Sequence, residues 1–421
     1  MIENKDATVK QSLNMMAFPA GPACNAECEY CYYLDKTDLY PGSNDFMMPE
    51  EIMEEYIRQY IAAHPGPEIN FGWQGGEPLL RGLDFYKRAI ECIEKYLPEG
   101  WEYKNTLQTN GILLDEKWAR FLSRNNFLVG LSLDGPAGIH DKYRRDKNDC
   151  PTHARVEKGL KLLQEHDVDY NVLCVVNDKN SRAPDKVFHY FLDRGVEYMQ
   201  FIPLVEDRGN GEVGELSVTP VNYGKFLLTV FEEWIGHLGD IFVQIFEECI
   251  RAWAGYPNGL CSFSETCGQA PVLEHNGDIY VCDHFVFPGY KLGNIKKTTI
   301  KKIIESGKLL DFGRAKKNDL PRKCRECDYN FICSGGCPKN RITGSGKVKL
   351  NYLCEGYRYF FSNIDPYMEE IIKGFKRRRP LTTIRKGLQK INSEIWNGTG
   401  RNDRCPCGSG EKYKWCCLDR K

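Results

Sequence analysis

The sequence predicts an α/β fold with a parallel sheet, followed by a region whose structure depends on bound metal. Two observations support this prediction. Between residues 13 and 204, six short apolar runs alternate with segments that carry apolar residues at helical spacing. From 256 to 355 this periodicity stops and cysteines accumulate, so metal ligation has to replace part of a hydrophobic core. Repeated strand-helix units predict right-handed crossovers, in an open doubly wound sheet or a curved partial barrel.

The strand candidates are apolar runs that end in Gly, Asn, Asp or Pro. They are LNMMAF (13–18), EINFGW (68–73), KNTLQT (104–109), FLVGLSL (127–133), YNVLCVV (170–176) and YMQFIP (198–203). The helix candidates are 48–64, 83–97, 115–125, 154–166 and 183–195, and most of 217–255 also has helical spacing.

Polar motifs follow the first four strand candidates, where a barrel of such units places its chemistry. The first candidate leads into three cysteines, the second into QGGEP (74–78), the third into TNG (109–111) and the fourth into SLDG (132–135). The paired glycines of QGGEP allow a ligand to approach the backbone of a strand end. TNG is equally well an ordinary turn.

The composition argues against two classes of partner. A net charge of −1 gives the whole molecule no attraction to nucleic acid or to an anionic membrane, and no apolar run is long enough to span a bilayer. The basic stretch 373–390 has no interleaved aromatic platform, which favours a solvated helix or linker over a nucleic-acid arm. Because the N-terminus also lacks a signal-peptide pattern, we expect a cytoplasmic protein.

The cysteines are clustered, and in a reducing compartment clustered cysteines bind metal more often than they form disulfides. Cys24, Cys28 and Cys31 supply three closely spaced thiolates. A structural zinc ion or a fully ligated cubane needs four ligands, so one metal position stays open for a substrate or cofactor. A structural zinc loop is disfavoured because no fourth ligand lies nearby, and the next histidine is His64.

A second group of cysteines occupies the region from 261 to 354. Its eight thiolates are enough to close two cubanes, which would transfer electrons or stabilise the fold. A pair of zinc ribbons is the alternative, since C-x2-C also suits zinc. The spacing does not assign the thiolates to individual clusters. The group consists of Cys261, Cys267, Cys282, Cys324, Cys327, Cys333, Cys337 and Cys354.

A third group surrounds a short Gly-Ser hairpin near the C-terminus and predicts tetrahedral zinc. It consists of Cys405, Cys407, Cys416 and Cys417. Four other cysteines stand apart and fit the role of inert side chains: Cys92, Cys150, Cys174 and Cys249.

These motifs resemble those of known families. C-x3-C-x2-C after a first strand, followed by GGEP, resembles the radical S-adenosylmethionine (AdoMet) enzymes. The pattern Cys267-x9-Gly277-x4-Cys282, then C-x2-C-x5-C-x3-C (324–337) and Cys354, resembles their SPASM extension. From the first cysteine to about residue 365 the chain resembles the anaerobic sulfatase-maturating enzymes. The tail resembles the SEC-C zinc motif, with Arg404 where a proline is more usual.

The resemblance implies an α/β architecture of four parts. A partial (β/α)6 TIM-like radical SAM barrel would span 1–235, and a loop-rich SPASM domain with two auxiliary iron–sulfur clusters would span 236–368. A basic helical linker at 369–398 and a zinc-binding tail at 399–421 would follow.

The resemblance also implies the cofactors, which are three 4Fe-4S clusters, AdoMet and a Zn²⁺ ion in the tail. AdoMet would bind the open iron of the cluster at Cys24, Cys28 and Cys31. The first auxiliary cluster would be held by Cys261, Cys267, Cys282 and Cys337, and the second by Cys324, Cys327, Cys333 and Cys354. The AdoMet site would include Tyr30, Gln74, Gly75, Gly76, Glu77, Ser132, Arg144 and, as a weaker match, Leu204.

The implied reaction is oxidation of an active-site Cys or Ser of a sulfatase to formylglycine (3-oxoalanine). A 5′-deoxyadenosyl radical would remove a side-chain hydrogen atom, and Asp283 would take the thiol or hydroxyl proton while one electron enters the adjacent cluster. His284 could serve as the base equally well. The implied partners are a sulfatase segment Cys/Ser-x-Pro-x-Arg, a low-potential donor such as flavodoxin or ferredoxin, and a protein that contacts the zinc tail.

Two other functions stay open at this point. Another SPASM-type peptide modifier, which makes a thioether, an epimer or a crosslink, often carries an N-terminal peptide-clasping domain. Only about a dozen residues precede the first strand here, which favours the sulfatase maturase. A non-catalytic iron–sulfur or zinc scaffold is the third hypothesis, and cleavage of AdoMet by the reduced protein would exclude it.

Overall fold

A computed structural model of the protein describes residues 13–42, 45–209, 211–344, 348–406 and 411–416. Its strands are β1 Met16–Phe18, β2 Glu68–Trp73, β3 Glu102–Thr109, β4 Phe127–Ser132, β5 Tyr170–Val176, β6 Tyr198–Pro203, β7 Asp207–Gly209, β8 Glu212–Val213, β9 Phe242–Val243, β10 Val272–Glu274, β11 Asp278–Tyr280, β12 Lys291–Asn294, β13 Arg341–Thr343 and β14 Leu350–Asn351. Its helices are α1 Glu50–Ala63, α2 Leu83–Tyr96, α3 Glu116–Arg124, α4 Ala137–Tyr143, α5 His153–Glu165, α6 Pro184–Leu192, α7 Pro220–Trp234, α8 Gln244–Trp253, α9 Ile300–Glu305, α10 Lys308–Asn318, α11 Arg322–Arg325, α12 Asn330–Cys333, α13 Cys354–Lys376, α14 Leu381–Asn397 and α15 Tyr413–Cys416.

The predicted alternation of strands and helices is confirmed. The strands β1 to β6 lie on the six apolar runs, and α1, α2, α3, α5 and α6 lie on the helix candidates between them, with differences of up to three residues at their ends. The helical stretch after residue 217 resolves into α7 and α8. The basic stretch after residue 373 is helical as well, because it contains the end of α13 and most of α14.

The chain divides into two compact units, and the first comprises the residues up to Ser132, Arg144–Tyr170 and Thr266–Ala315. Its sheet has the strand order β12-β11-β10-β1-β2-β3-β4. The pairs from β10 through β4 are parallel, whereas β11 and β12 are antiparallel to their neighbours. The strands β10 to β12 were not predicted, because strands of three or four residues are too short to show an alternating pattern.

The core of the first unit is built from large aromatic side chains on α1, α2 and β2. Tyr56, Phe71, Trp73 and Tyr86 are all almost fully buried, and their rings meet edge to face. The Trp73 Nε1 donates a hydrogen bond of 2.9 Å to the Asn105 Oδ1 on β3, so the polar atom of this buried ring is satisfied. The helices α1 and α2 therefore pack on β2 through these rings, which fixes the position of this strand.

The second unit comprises Leu133–Tyr143, Asn171–Glu265 and the residues from Lys316 onward. Its strands β5, β6 and β9 are parallel neighbours. The helices α7 and α13 pack closely where each carries a glycine. A Cβ atom at Gly356 would lie 2.1 Å from the Pro220 carbonyl oxygen, and a Cβ atom at Gly224 would lie 2.6 Å from the Gly356 carbonyl oxygen. Neither position has room for a side chain. Cys354 begins α13, so this glycine contact positions a predicted cluster ligand.

In the parts of the chain that the structure describes, no helix combines the length and the apolar character that a membrane crossing requires.

We expect Gly356→Ala to lower the melting temperature, because the added methyl group would overlap the Pro220 carbonyl and force two helices apart. Overpacking of this kind costs about 1–3 kcal/mol of the free energy of unfolding. Gly138→Ala is the matched control, since Gly138 lies on α4 in the same unit and a Cβ there meets no described neighbour within 4 Å. Thermal unfolding followed by circular dichroism measures both, and equal melting temperatures would contradict the packing argument.

Candidate active site

The cysteine loop that follows β1 is held against the end of β2 by its backbone. The Gly76 N–H donates a hydrogen bond of 2.8 Å to the Gly21 carbonyl, and the Glu77 N–H donates one of 2.8 Å to the Ala23 carbonyl. A Cβ atom at Gly76 would lie 2.1 Å from the Ala23 oxygen. The glycines of QGGEP therefore allow the close approach of the protein's own cysteine loop, and the approach of AdoMet to them stays a prediction.

The three thiols of this loop are partly buried, and the charges of Cys28 and Cys31 act on Cys24. The Cys24 Sγ accepts hydrogen bonds from the Ala26 N–H at 3.3 Å and from the Asn110 Nδ2 at 3.5 Å. Burial raises the pKa of Cys24 to about 12, and the charges of Glu77, Cys28 and Cys31 act in the same direction. A metal cation is thus needed to hold these sulfurs as thiolates, and the donor set fits a cluster with three protein ligands.

Predicted AdoMet contacts surround this loop within the first unit. The Arg144 guanidinium lies over the Tyr30 ring at 5.4 Å from its centroid, and both side chains are mostly buried. Burial raises the pKa of Cys31, whereas the positive charge of Arg144 lowers it. The Ser132 Oγ accepts a hydrogen bond of 3.0 Å from the Gln108 Nε2 at the end of β3. Arg144 and Tyr30 thus place a cation and an aromatic ring beside the cysteine loop, and Ser132 places a hydroxyl at the end of β4.

Of the other predicted AdoMet contacts, Gln74 and Gly75 follow β2 in the first unit, and Leu204 follows β6 in the second. The Gln74 N–H continues the strand pairing with a hydrogen bond of 3.0 Å to the Ala17 carbonyl. Gly75 has a φ of +123°, which a residue with a side chain rarely adopts. Leu204 belongs to the second unit, where it is buried and its N–H donates to the Val176 carbonyl at 2.9 Å.

Glu77 is a buried carboxylate that connects the ends of β2 and β3. Its oxygens accept hydrogen bonds from the Thr109 Oγ1 at 2.7 Å, the Asn110 N–H at 2.8 Å and the Leu79 N–H at 3.0 Å. Burial raises the pKa of Glu77 to about 7, although these donors pull the pKa down. The TNG motif is therefore more than a turn, because Asn110 contacts both this carboxylate and the Cys24 sulfur.

Asp283 lies directly after Cys282, on a short 3-10 turn that follows β11. The Cys282 Sγ donates a hydrogen bond of 2.9 Å to the Asp283 Oδ1, and the Tyr32 hydroxyl donates one of 3.0 Å to the Oδ2. The Tyr32 ring also meets the His284 ring edge to face at 4.8 Å. Tyr32 follows Cys31, so the carboxylate predicted as the base is tied to the first cysteine loop.

The charge state of Asp283 follows from these neighbours. Burial on its own would raise the pKa of Asp283, but the charge of His284 and the hydrogen bonds from Cys282 and Tyr32 outweigh it. The pKa of Asp283 therefore lies below its ordinary value, and the side chain is an ionised proton acceptor near neutral pH. Tyr32 was not predicted, since its partner Asp283 lies 251 positions away in the sequence.

A buried core holds these two segments together. The Tyr33 hydroxyl donates a hydrogen bond to the fully buried Glu274 on β10, and Cys31 packs against the same apolar cluster. The cluster consists of Phe18, Tyr33, Val272, Tyr280 and Val286. Side chains from both cysteine-bearing segments thus share one packed interior, which fixes Tyr32 relative to Asp283.

Four cysteines of the second group line a single cavity within the second unit. Aromatic rings on Tyr329, Tyr357 and Phe361 form part of the wall of this cavity. Burial is the main reason that the pKa of Cys333 rises to about 12, and the nearby thiols act in the same direction. Four thiols around one space are the donor set of a fully ligated cubane. These cysteines are Cys324, Cys327, Cys333 and Cys354.

The other predicted metal ligands are distributed over the chain. Cys267 and Cys282 belong to the first unit, whereas Cys261 and Cys337 belong to the second, so their shared cluster stays a prediction. In the tail, Cys405 is buried and its N–H donates to the Glu411 carbonyl at 2.8 Å. Cys407 and Cys417 lie outside the described residues, and Cys416 ends α15, so the zinc site stays a prediction as well.

Family models match three parts of the chain. The model described as Radical SAM superfamily matches residues 18–190, and SPASM, described as an iron-sulfur cluster-binding domain, matches 265–328. The SEC-C motif matches 401–419. These matches confirm the three resemblances that the cysteine spacing predicts, and the first two imply 4Fe-4S clusters and AdoMet as cofactors.

Relatives of the same kind cover most of the chain. It is 40% identical over 407 residues to the serine-type anaerobic sulfatase-maturating enzyme of Bacteroides thetaiotaomicron, a match over 92% of this chain and 98% of that protein. It is 32% identical over 372 residues to the cysteine-type enzyme of Clostridium perfringens, a match over 86% of this chain and 99% of that protein.

The fold agrees with these relatives. The solved structure of native anSMEcpe with bound AdoMet and the Cp18Cys peptide matches with a TM-score of 0.78 at 32% identity, over 86% of this chain and 99% of that one. Streptococcus suis SuiB bound to S-adenosylmethionine matches with a TM-score of 0.57 at 15% identity, over 81% of this chain and 76% of that one, and shares the fold alone. With its fold, its cysteine-lined sites and its relatives all in agreement, the chain belongs to the anaerobic sulfatase-maturating enzymes of the radical SAM superfamily.

Proposed function

We propose that this protein oxidises an active-site Cys or Ser of a sulfatase polypeptide to formylglycine without molecular oxygen. The observation that carries the proposal is the hydrogen bond between Tyr32 and Asp283. Tyr32 directly follows the predicted cluster ligand Cys31, and Asp283 directly follows the predicted cluster ligand Cys282. The hydrogen bond therefore joins two cluster-binding segments. A proton acceptor is thereby fixed beside the loop where the family binds AdoMet.

The cofactors would be held by the sulfurs described above. The loop with Cys24, Cys28 and Cys31 would hold the cluster that leaves one iron open for AdoMet, and the four-cysteine cavity would hold the second auxiliary cluster. The third cluster, at Cys261, Cys267, Cys282 and Cys337, and the zinc of the tail complete the proposed set. When bound, AdoMet and the clusters supply the hydrogen-abstracting radical and the one-electron chemistry.

Asp283 would accept the proton that leaves the substrate thiol or hydroxyl. A cysteine that ligates metal has lost its thiol proton, so ligation of Cys282 ends its donation to the Asp283 Oδ1. That oxygen is then available to the substrate, while Tyr32 continues to hold the Oδ2. The carboxylate thus keeps one oriented oxygen for proton transfer, as a general base requires.

We further propose that the substrate segment has the form Cys/Ser-x-Pro-x-Arg and that a low-potential protein supplies the electrons. Both a serine-type and a cysteine-type enzyme are relatives of this chain, and a relative has been solved with the Cp18Cys peptide bound. The same carboxylate can accept a proton from a thiol or from a hydroxyl, so the proposal covers both substrates. The SEC-C tail would contact a further protein.

The direct test uses protein reconstituted anaerobically with iron and sulfide. We expect incubation with AdoMet, dithionite and a Cys-x-Pro-x-Arg or Ser-x-Pro-x-Arg peptide to give 5′-deoxyadenosine and an aldehyde-bearing peptide, both measured by mass spectrometry. Cleavage of AdoMet without peptide oxidation would contradict the proposal, and a colourless zinc-only protein would contradict the cluster assignment too.

We expect Asp283→Asn to lower the rate of peptide oxidation by about 10²–10⁴-fold, the usual contribution of a general base. The amide cannot take up the substrate proton, but it nearly preserves the shape of the side chain. Iron content and AdoMet cleavage should stay close to wild type. His284→Asn is the matched control, and the assignment of the base is wrong if only that variant loses peptide oxidation.

We expect Tyr32→Phe to lower kcat roughly tenfold or more with little change in KM for the peptide, because a hydrogen bond to a charged group is worth about 1.5–3 kcal/mol. The variant removes the donor that orients Asp283 and leaves the ring in place. Tyr290→Phe is the control, since Tyr290 is an exposed tyrosine of the same unit. A purely structural role for Tyr32 would instead lower iron content and stability, which absorbance and thermal unfolding report.

A further inference from the structure

A cleft in the second unit collects the positive charge of the basic stretch. Its walls carry Lys373, Lys376 and Arg377 at the end of α13, and Trp253 at the end of α8 forms another part of the lining. Ile372 and Glu369 complete it. We call this set of six residues the basic cleft. The Trp253 ring in this lining comes from α8, a different helix from the one that carries the cations.

The basic cleft carries three cations and one carboxylate, Glu369, so its net charge is positive. Within the described residues, Lys373, Lys376 and Arg377 are exposed and form no ion pair. Three of the five other cations of the same stretch are paired: Arg379 with Glu370 at 2.9 Å, Arg385 with Asp240 at 2.7 Å and Lys390 with Glu394 at 3.6 Å. Unpaired cations therefore concentrate at the cleft, and a surface of this kind attracts an acidic partner.

The basic cleft is joined to the four-cysteine cavity by Trp253, whose ring lines the cleft and contacts two rings that line the cavity. The Trp253 ring centroid is 6.3 Å from that of Tyr329 and 6.1 Å from that of Phe361, and both of these residues line the cavity. Asp365 accepts hydrogen bonds from the Trp253 Nε1 at 2.7 Å and from the Tyr329 hydroxyl at 3.3 Å. One carboxylate thus holds the cleft side chain and the cavity side chain in a fixed arrangement.

We propose that the basic cleft is the docking surface for an acidic, low-potential electron-carrier protein that holds a flavin or an iron–sulfur group. The inference rests on the proposed function, because it takes the four-cysteine cavity to hold a redox cluster. In the docked complex one electron passes from the reduced carrier to the enzyme. The carrier is oxidised by one electron, the enzyme is reduced by one electron, and no bond or proton changes place.

Two features favour this occupant over another polyanion. The first is position, since a nucleic acid gains nothing from closeness to a cluster site, whereas an electron carrier requires a short distance to its redox partner. The second is the composition of the rim. Phe331 is 49% exposed and packs against Trp253 at 4.8 Å, so an apolar patch adjoins the cations. An apolar centre with a charged border suits a small, transient protein interface.

The test uses the reconstituted full-length enzyme and a recombinant acidic flavodoxin as the probe. We expect Lys373→Glu/Lys376→Glu to weaken flavodoxin binding about tenfold or more at low salt and to reduce the salt dependence of the affinity. Oxidation of flavodoxin hydroquinone by the enzyme, followed by stopped-flow absorbance, should slow in parallel at subsaturating concentrations. Lys386→Glu/Lys390→Glu is the matched control, because it reverses the same charge on α14 outside the basic cleft.

Activity with dithionite separates the two hypotheses. With this small reductant, which needs no docking surface, the cleft variants should oxidise the peptide at the wild-type rate. If the wild-type enzyme forms no aldehyde with dithionite, that result contradicts the proposed function and leaves the docking proposal to the binding measurement. The docking proposal is overturned if the cleft variants bind flavodoxin as wild type does, or if they lose only peptide or nucleic-acid binding. The single variant Lys376→Glu, at the last residue of α13, repeats the test if the double variant is unstable.

Discussion

The parallel pairing of β1 with β10 brings together two segments that are far apart in the sequence. One segment continues from β1 into the first three cysteines, and the other continues through β11 into Cys282 and Asp283. Closing a loop of this size is entropically unfavourable, and the buried cluster around Tyr33 offsets this cost. The hydrogen bond between Tyr32 and Asp283, 251 positions apart, depends on this strand pairing.

The cysteine loop also depends on backbone contacts that only small residues permit. At the end of β2 the glycines admit the loop, and the buried Glu77 then binds the end of β3, so the polar ends of three strands are connected. Burial raises the pKa of Cys24 and of Cys31 in this loop. The uptake of metal must therefore release protons, and the folded loop and its metal stabilise each other.

The cysteine motifs and the six strand-helix units could be read from the sequence, because ligand spacing and apolar periodicity are local properties. The strands β10 to β12 could not, since three or four residues carry too little periodicity. Tyr32 was missed because its importance comes from a partner in a distant segment. The role of Gly76 was only partly foreseen, because the sequence shows that something approaches the backbone but not that it is the cysteine loop. The predicted domain limits and the individual site roles stay predictions.

The helix α13 serves several of these features at once. It begins at Cys354, contacts α7 through Gly356, presents Asp365 to Trp253 and Tyr329, and ends at Lys376 in the basic cleft. Each residue of an α-helix turns about 100° around the axis, so positions 358, 365, 369, 372 and 376 share one stripe. Insertion of a single residue in the middle of α13 would rotate the second half of the helix by about 100° relative to the first half. Cys354 and the cleft residues at the other end could then not both keep their present contacts. The length of this helix is thus constrained independently of its composition, and related chains should vary in the side chains of α13 more readily than in its number of residues.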